Sequence, residues 1–246
     1  MNELKNALSG NENAASHPPS HPPSHPGTLA TSVYDHLRQD ILSGDLAPGE
    51  KLRSGSLRGR YDVGNSPLRE ALNRLSVDGF VVREDQKGFS VANVSKRCLE
   101  ELIRTRCWLE EVALRESIGN RTVEWEEQVV LSFHHLSRTE RYLDEKNKTP
   151  NAKWSELHRT FHMTLIDRCN SQWMLNFCAQ LYDQASRYCQ LADEAGFIER
   201  DSLKEHRLLM DAAIDGNADE AIRVMLSHYN RTADIILNSD MEFFEA

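Results

Sequence analysis

At 246 residues and 39% hydrophobic content, the chain has room for one large or two small domains of ordinary soluble composition. No window approaches the roughly 20 apolar residues of a membrane helix, and the N-terminus shows no apolar stretch resembling a signal peptide, so a membrane role is excluded and the cytoplasm is the expected location. The net charge of −9 argues against a nucleic-acid partner only until it is divided: residues 28–97 hold 11 Lys/Arg against 9 Asp/Glu, or +2, while residues 98–246 hold 17 against 27, or −10. A local basic face can still dock on phosphates, and two domains with different tasks are expected.

Residues 1–27 contain a thrice-repeated Ser-His-Pro unit, with His17, His21 and His25, and bury no core. They are expected to form a disordered tail. From Ala30 to Ser43, Val33, Leu37 and Ile41 keep a helical period, with Gly44 as a stop. The run LAPGEKL is a turn through Pro48-Gly49, followed by a short helix over Ser54 to Tyr61. A second helix starts at Ser66-Pro67, where proline suits a first turn, and runs through Leu68, Ala71, Leu72 and Leu75 to Gly79. FVVRE and FSVAN, joined by Asp85-Gln86-Lys87-Gly88, read as a β-hairpin. This order makes residues 28–95 a winged helix-turn-helix.

Beyond Ser95 no comparable strand signal occurs. Helical periods cover 95–118, 122–146, 152–169, 171–195, 199–215 and 218–238, with breaks at Gly119-Asn120, Thr149-Pro150, Gly196 and Gly216-Asn217. Residues 96–240 should form an all-α antiparallel bundle, giving a mainly α chain overall. The cysteines, Cys98, Cys107, Cys169, Cys178 and Cys189, form no CxxC and are expected as reduced thiols.

A helix-turn-helix reads the major groove with the N-terminal end of its second helix. Here that end is Gly64-Asn65-Ser66-Pro67-Leu68-Arg69. Arg69 suits a guanine edge, Asn65 an adenine, and Ser66 a phosphate. Lys87 and Gly88 at the wing tip suit the adjacent groove or backbone, and Arg53 and Arg58 are further candidates for DNA contact. The bland alternative for Arg69 is an ion pair with Glu70 or Asp62.

ILSGDLAPGEKL, followed by LRGRYDVGNSPLREALNRLSVDGFVVREDQKGFSVANVS, resembles the DNA-binding domain of GntR-type bacterial transcription regulators. The resemblance departs at Asn65, where the family usually has Arg, and at Arg53-Ser54-Gly55-Ser56. It implies a dimer on a palindromic operator in double-stranded DNA.

In the bundle, His158 and His162 lie four apart on one helix face. His206 and His228 flank the Gly216-Asn217 turn at similar distances, so antiparallel helices bring them to one height. Four imidazoles in a bundle interior suit zinc, nickel or ferrous iron as a divalent cofactor. The sequences HxxxFH, EH and SHY resemble the FCD group of GntR-type regulators, whose helical bundle carries a metal held by an Asp and three His. By that resemblance His162, His206 and His228 match the three His positions, and His158 replaces the Asp. This replacement, with RYxxG and QKG in the first half, is similar to the glutarate-responsive repressors of the group. Four neutral imidazoles leave the site more positive than three and a carboxylate, which favours an anionic effector such as a small dicarboxylate. The resemblance also implies that Arg106 clamps a second carboxylate in bidentate fashion; Arg104 and Arg187 are expected in surface or interhelical salt bridges.

HRTFH shares its outer histidines with the zinc-protease HExxH motif, but Arg159 stands where the catalytic Glu is required. A metal-dependent hydrolase is the alternative function, and a purely structural metal is a third. The expected function is a ligand-responsive repressor, not an enzyme.

Overall fold

The computed structural model of the protein describes residues 28–144, 149–194 and 202–239. The Ser/His/Pro-rich segment 1–27 and the break at Gly196 lie outside the described residues.

The first half contains α1 (Leu29–Leu42), α2 (Ser54–Tyr61), α3 (Asn65–Val77) and the hairpin β1 (Val81–Glu84) and β2 (Gly88–Val91). Helix α1 starts where the Thr28 hydroxyl accepts from the Thr31 amide, satisfying a donor that the first turn leaves free. Its buried face is Ala30, Val33, Leu37 and Ile41. That stripe packs on Leu68, Ala71, Leu72 and Leu75 of α3, and Phe80, Val81 and Val91 close the core from the hairpin. Truncating a buried leucine such as Leu72 to alanine should cost about 2–5 kcal/mol.

The wing is broader than the sequence suggests. Lys51 bridges Ser90, and Leu52 N–H donates to the Phe89 carbonyl, so part of the LAPGEKL turn runs along β2 as a third edge. Gly49 makes that approach possible: its φ is +77°, and a Cβ there would sit 2.7 Å from Asn93 Oδ1.

The second half contains α4 (Lys96–Gly119), α5 (Val123–Ser137), β3 (Tyr142–Asp144), β4 (Thr149–Pro150), α6 (Ala152–Ile166), α7 (Gln172–Glu194), α8 (Ser202–Ile214) and α9 (Ala218–Leu237). Helix α4 packs against α9, α7 and α6, and α8 lies beside α9 across the Gly216 turn. The core runs from Leu99 and Leu114 through Phe161 and Leu209 to Met225 and Ile236.

One helix differs from the sequence-based expectation. The period over 122–146 predicts a continuous helix, yet α5 ends at Ser137. The Ser137 and Thr139 hydroxyls donate to the carbonyls of His134 and His135, closing its last turn. Beyond it, the Arg141 guanidinium and the Tyr142 hydroxyl both donate to Asp193 of α7. These tertiary bonds hold Tyr142 inward and pair β3 with β4, a hairpin the sequence reading lacks.

The two halves meet along α7. Gln184 donates to the Asp78 carbonyl, Arg187 to the Ala92 carbonyl, and Arg38 of α1 pairs with Asp183. Arg187 is 2% exposed and has no carboxylate partner among the described residues. The expected salt bridge is therefore absent there: burial pushes this guanidinium down to about 10, and its role is to fasten the domain seam. Arg104, also expected in a salt bridge, is exposed and lies 5.9 Å from the Trp108 ring centre.

Candidate metal centre and nucleic-acid interface

The recognition end of α3 follows Gly64, whose extended backbone caps the helix without a side-chain hydrogen bond. The amides of the first turn therefore face outward as donors. Asn65, Ser66 and Arg69 are all exposed there, and Ser66, Arg69, Glu70, Asn73 and Arg74 line one shallow groove along the helix. Arg69 pairs with neither Glu70 nor Asp62 and has no carboxylate partner among the described residues. Arg53, Arg58, Lys87 and Gly88 are exposed as well. Lys87 pairs with Glu84 at 3.1 Å on the surface, a contact weak enough to exchange for a phosphate.

The helix-turn-helix is braced from behind. Tyr34 donates to Asp78 and Tyr61 to Asp40, each at 2.6 Å, while the Arg74 guanidinium lies 4.4 Å from the Tyr34 ring centre. Burial and these acceptors push both phenols up, so both stay protonated donors at any physiological pH.

In the bundle, His158 and His162 of α6, His206 of α8 and His228 of α9 converge, each with one ligating nitrogen within 4.8 Å of the others. The Nε2 atoms of His158 and His206 are 3.0 Å apart, and that of His162 is 3.2 Å from each. Zinc-bound imidazoles, at about 2.0–2.1 Å from the ion, have nitrogens about 2.9–3.4 Å apart. The spacing of His158, His162 and His206 fits a divalent ion.

The outer nitrogens explain why the inner ones face one another. His158 Nδ1 lies 2.6 Å from the Tyr182 hydroxyl and His228 Nδ1 lies 2.8 Å from a Glu205 oxygen. Tyr229 donates to Glu110, which leaves its oxygen free to accept from His162 Nδ1 at 3.1 Å. With these Nδ1 atoms carrying the proton, each Nε2 presents a lone pair to the centre. The lone pairs of His158 and His162, 3.2 Å apart, repel; a cation between them and His206 removes the conflict. Burial, and then the neighbouring imidazoles, push His158 and His162 well below the ordinary histidine value, so the neutral ligating form prevails at pH 7.

Trp154 stacks on His158 with ring centres 4.7 Å apart, and Arg231 holds Glu205 from the other side at 3.0 Å. None of Tyr182, Tyr229, Glu110 and Glu205 is among the residues singled out from sequence. Two of them adjoin ligands, Glu205 before His206 and Tyr229 after His228, and that adjacency was the available signal.

A cavity of about 540 Å³ opens beside the histidines, within the usual range for small-ligand sites, about 300–1,000 Å³. Its lining includes His158, His228, Arg106, Tyr182 and Tyr229, and also Arg38 and Gln39 of α1. Arg106 is buried between the Tyr182 and Tyr229 rings, with Nε on Glu110 and Nη2 without a hydrogen-bond partner. It thus lies beside Tyr229, whose hydroxyl meets His162 Nδ1. Arg159 is committed to Asp183 at 2.9 Å, and no carboxylate stands in the HExxH position to act as base.

A winged helix-turn-helix joined to a helical bundle with a cavity beside a histidine cluster defines a DNA-binding transcription regulator. The chain belongs to the GntR family of bacterial regulatory proteins, whose model matches residues 29–91, and carries an FCD domain over residues 101–231. It is 33% identical over 213 residues to the HTH-type transcriptional regulator BphR of Paraburkholderia xenovorans, covering 85% of each chain. It is 34% identical over 161 residues to the HTH-type transcriptional repressor GlaR of Escherichia coli, covering 63% of this chain and 70% of GlaR. The fold matches the solved structure of E. coli McbR/YncC with a TM-score of 0.70 at 22% identity, over 85% of this chain and 97% of that one. These relatives are regulators, not enzymes, and the hydrolase alternative has no support among them.

Proposed function

We propose that the protein is a homodimeric, cytoplasmic repressor whose bundle senses a small carboxylate through a divalent metal. In this reading residues 28–95 grip an operator half-site and residues 96–240 hold effector and dimer contact. His158, His162, His206 and His228 hold zinc, nickel or ferrous iron, which supplies a Lewis-acidic seat for one carboxylate of the effector. The Arg106 Nη2 atom, buried and without an acceptor, adds a charge-assisted hydrogen bond to that same carboxylate. The observation that carries the reading is the convergence of the three Nε2 atoms within 3.2 Å beside a cavity of about 540 Å³.

Arg69, Asn65 and Ser66 read or position the major groove, Lys87 and Gly88 the wing contact, and Arg53 and Arg58 the flanking phosphates. Dimerisation is supported by exposed apolar side chains on two neighbouring helices: Trp108 and Val112 of α4, and Trp173 and Phe177 of α7, with Trp173 77% exposed. A symmetric dimer matches a palindromic operator. A dicarboxylate shifts DNA affinity to the extent that it binds one placement of the DNA-binding domains better than the other.

The experiment is metal analysis of the purified protein, followed by a thermal-shift screen of C4 to C6 dicarboxylates on metal-loaded material. A bound divalent ion and a diacid that raises the melting temperature are expected. No bound metal, with no effect of chelators on melting, would overturn the reading.

A further inference from the structure

Four arginines line the cavity, and their charge is met to different degrees. Arg106 is matched by Glu110. Arg141 is matched by Asp193, both of whose oxygens lie 2.8 Å from its Nη2. Arg38 and Arg159 instead share one carboxylate: Asp183 Oδ2 meets Arg38 Nη2 at 2.6 Å, and its Oδ1 meets Arg159 Nε at 2.9 Å. Neither guanidinium has another carboxylate partner among the described residues. Two positive charges meet one negative at this junction, a local excess of one; Asp45 and Glu156 also line the cavity but pair with neither guanidinium. The Asp183, Arg38 and Arg159 side chains are 15%, 24% and 39% exposed, so solvent screens the junction in part.

The position of this junction is as informative as its charge. Arg38 comes from α1 of the DNA-binding half, Asp183 from α7, and Arg159 directly follows His158 in α6. The Tyr182 ring centre lies 5.9 Å both from the His158 ring and from Arg159 Cζ, so one aromatic ring separates the junction from the histidine cluster.

We propose that Arg38 and Arg159, with Asp183 between them, form a second anion seat, which takes the far carboxylate of an effector whose near carboxylate lies at the histidines. The proposal rests on the dicarboxylate reading above and adds where the second acid group goes. A second carboxylate balances the two guanidinium charges and ties α1 to α7 and α6 through the ligand itself. Effector binding then reaches the DNA-binding half directly, because one wall of the seat belongs to it, and the placement of α1 seen here is the one the ligand favours.

The test is calorimetric titration of the metal-loaded full-length protein with glutarate and with pentanoate, a monocarboxylate of equal chain length. The readout is the ratio of the two affinities. Arg38→Gln leaves one guanidinium on Asp183 and should lower the ratio about tenfold, as loss of one charge-assisted pair implies. Arg159→Gln should do the same if Arg38→Gln does not fold. Asp183→Asn removes the resident anion and should raise the ratio. These opposite signs distinguish an anion seat from a structural bridge, since breaking a bridge from either side moves binding the same way. An unchanged ratio in all variants, or a fall in Asp183→Asn as well, overturns the proposal while the dicarboxylate reading stands. Wild-type protein that does not prefer glutarate to pentanoate overturns both.

Discussion

The Tyr229 hydroxyl and His162 Nδ1 lie 3.1 Å apart, and the same hydroxyl donates to the buried Glu110. This pair fixes which nitrogen of His162 faces the cluster. Tyr229 is itself held protonated: burial pushes it well above the ordinary tyrosine value, the nearby Arg106 pulls the other way, and Glu110 adds to the rise. The tyrosine thus acts as a fixed relay between a carboxylate and an imidazole.

Removing that relay without removing a ligand gives a first prediction. Tyr229→Phe should weaken metal affinity about 10- to 100-fold, the usual effect of losing a partner behind a ligating histidine. Competition titration with a chelating dye would measure it. Unchanged affinity would mean that the His162 tautomer is set elsewhere.

Removing the ligand itself should be more severe. His162 is 2% exposed at the centre of the cluster, so His162→Ala should leave the purified protein without stoichiometric metal. The DNA-binding half has its own core and should still bind operator, now without an effector response. Metal analysis and operator titration on the same preparation check both statements.

Acid should destabilise the metal-free protein through the same histidines. Their folded values lie below the ordinary 6.5, so below that pH the unfolded chain takes up protons that the native state refuses. The stability tied to the neutral imidazoles is fully present above pH 6.5 and is lost as pH falls through and below it. Melting temperatures of chelator-treated wild type and His162→Ala at pH 7.5 and 5.5 should show the larger drop in wild type.

On DNA, Arg69→Ala should weaken operator binding by about 1–3 kcal/mol and relax the preference at one base pair. Lys87→Ala should weaken all sequences alike and lower the salt dependence by about one counterion. Equal losses on operator and random duplex for Arg69→Ala would move it to the phosphate-contacting group.

Much of this arrangement was legible in the chain because local rules carried it. Pro67 in the first turn of α3, the apolar period of α1 and the two β-rich runs at Val81 and Phe89 each depend on neighbours in sequence. The four histidines were legible because spacing on α6 and symmetry about the Gly216 turn place them without knowledge of the rest. The β3–β4 hairpin was not, since its cause is Asp193, about fifty residues away, which captures Arg141 and Tyr142 from a stretch with helical period. Nor was the 2:1 junction at Asp183: it joins three helices from both halves, and Arg38 taken alone is an ordinary surface residue of α1.

In the proposed function, a metal-held carboxylate controls operator binding. The most direct test is titration of an operator, selected by the protein from random duplexes, with and without glutarate, using metal-loaded and metal-stripped protein. Operator affinity should change about tenfold, within the usual range of allosteric coupling, only in the metal-loaded form. A response of equal size after metal removal, or none in either form, would contradict it.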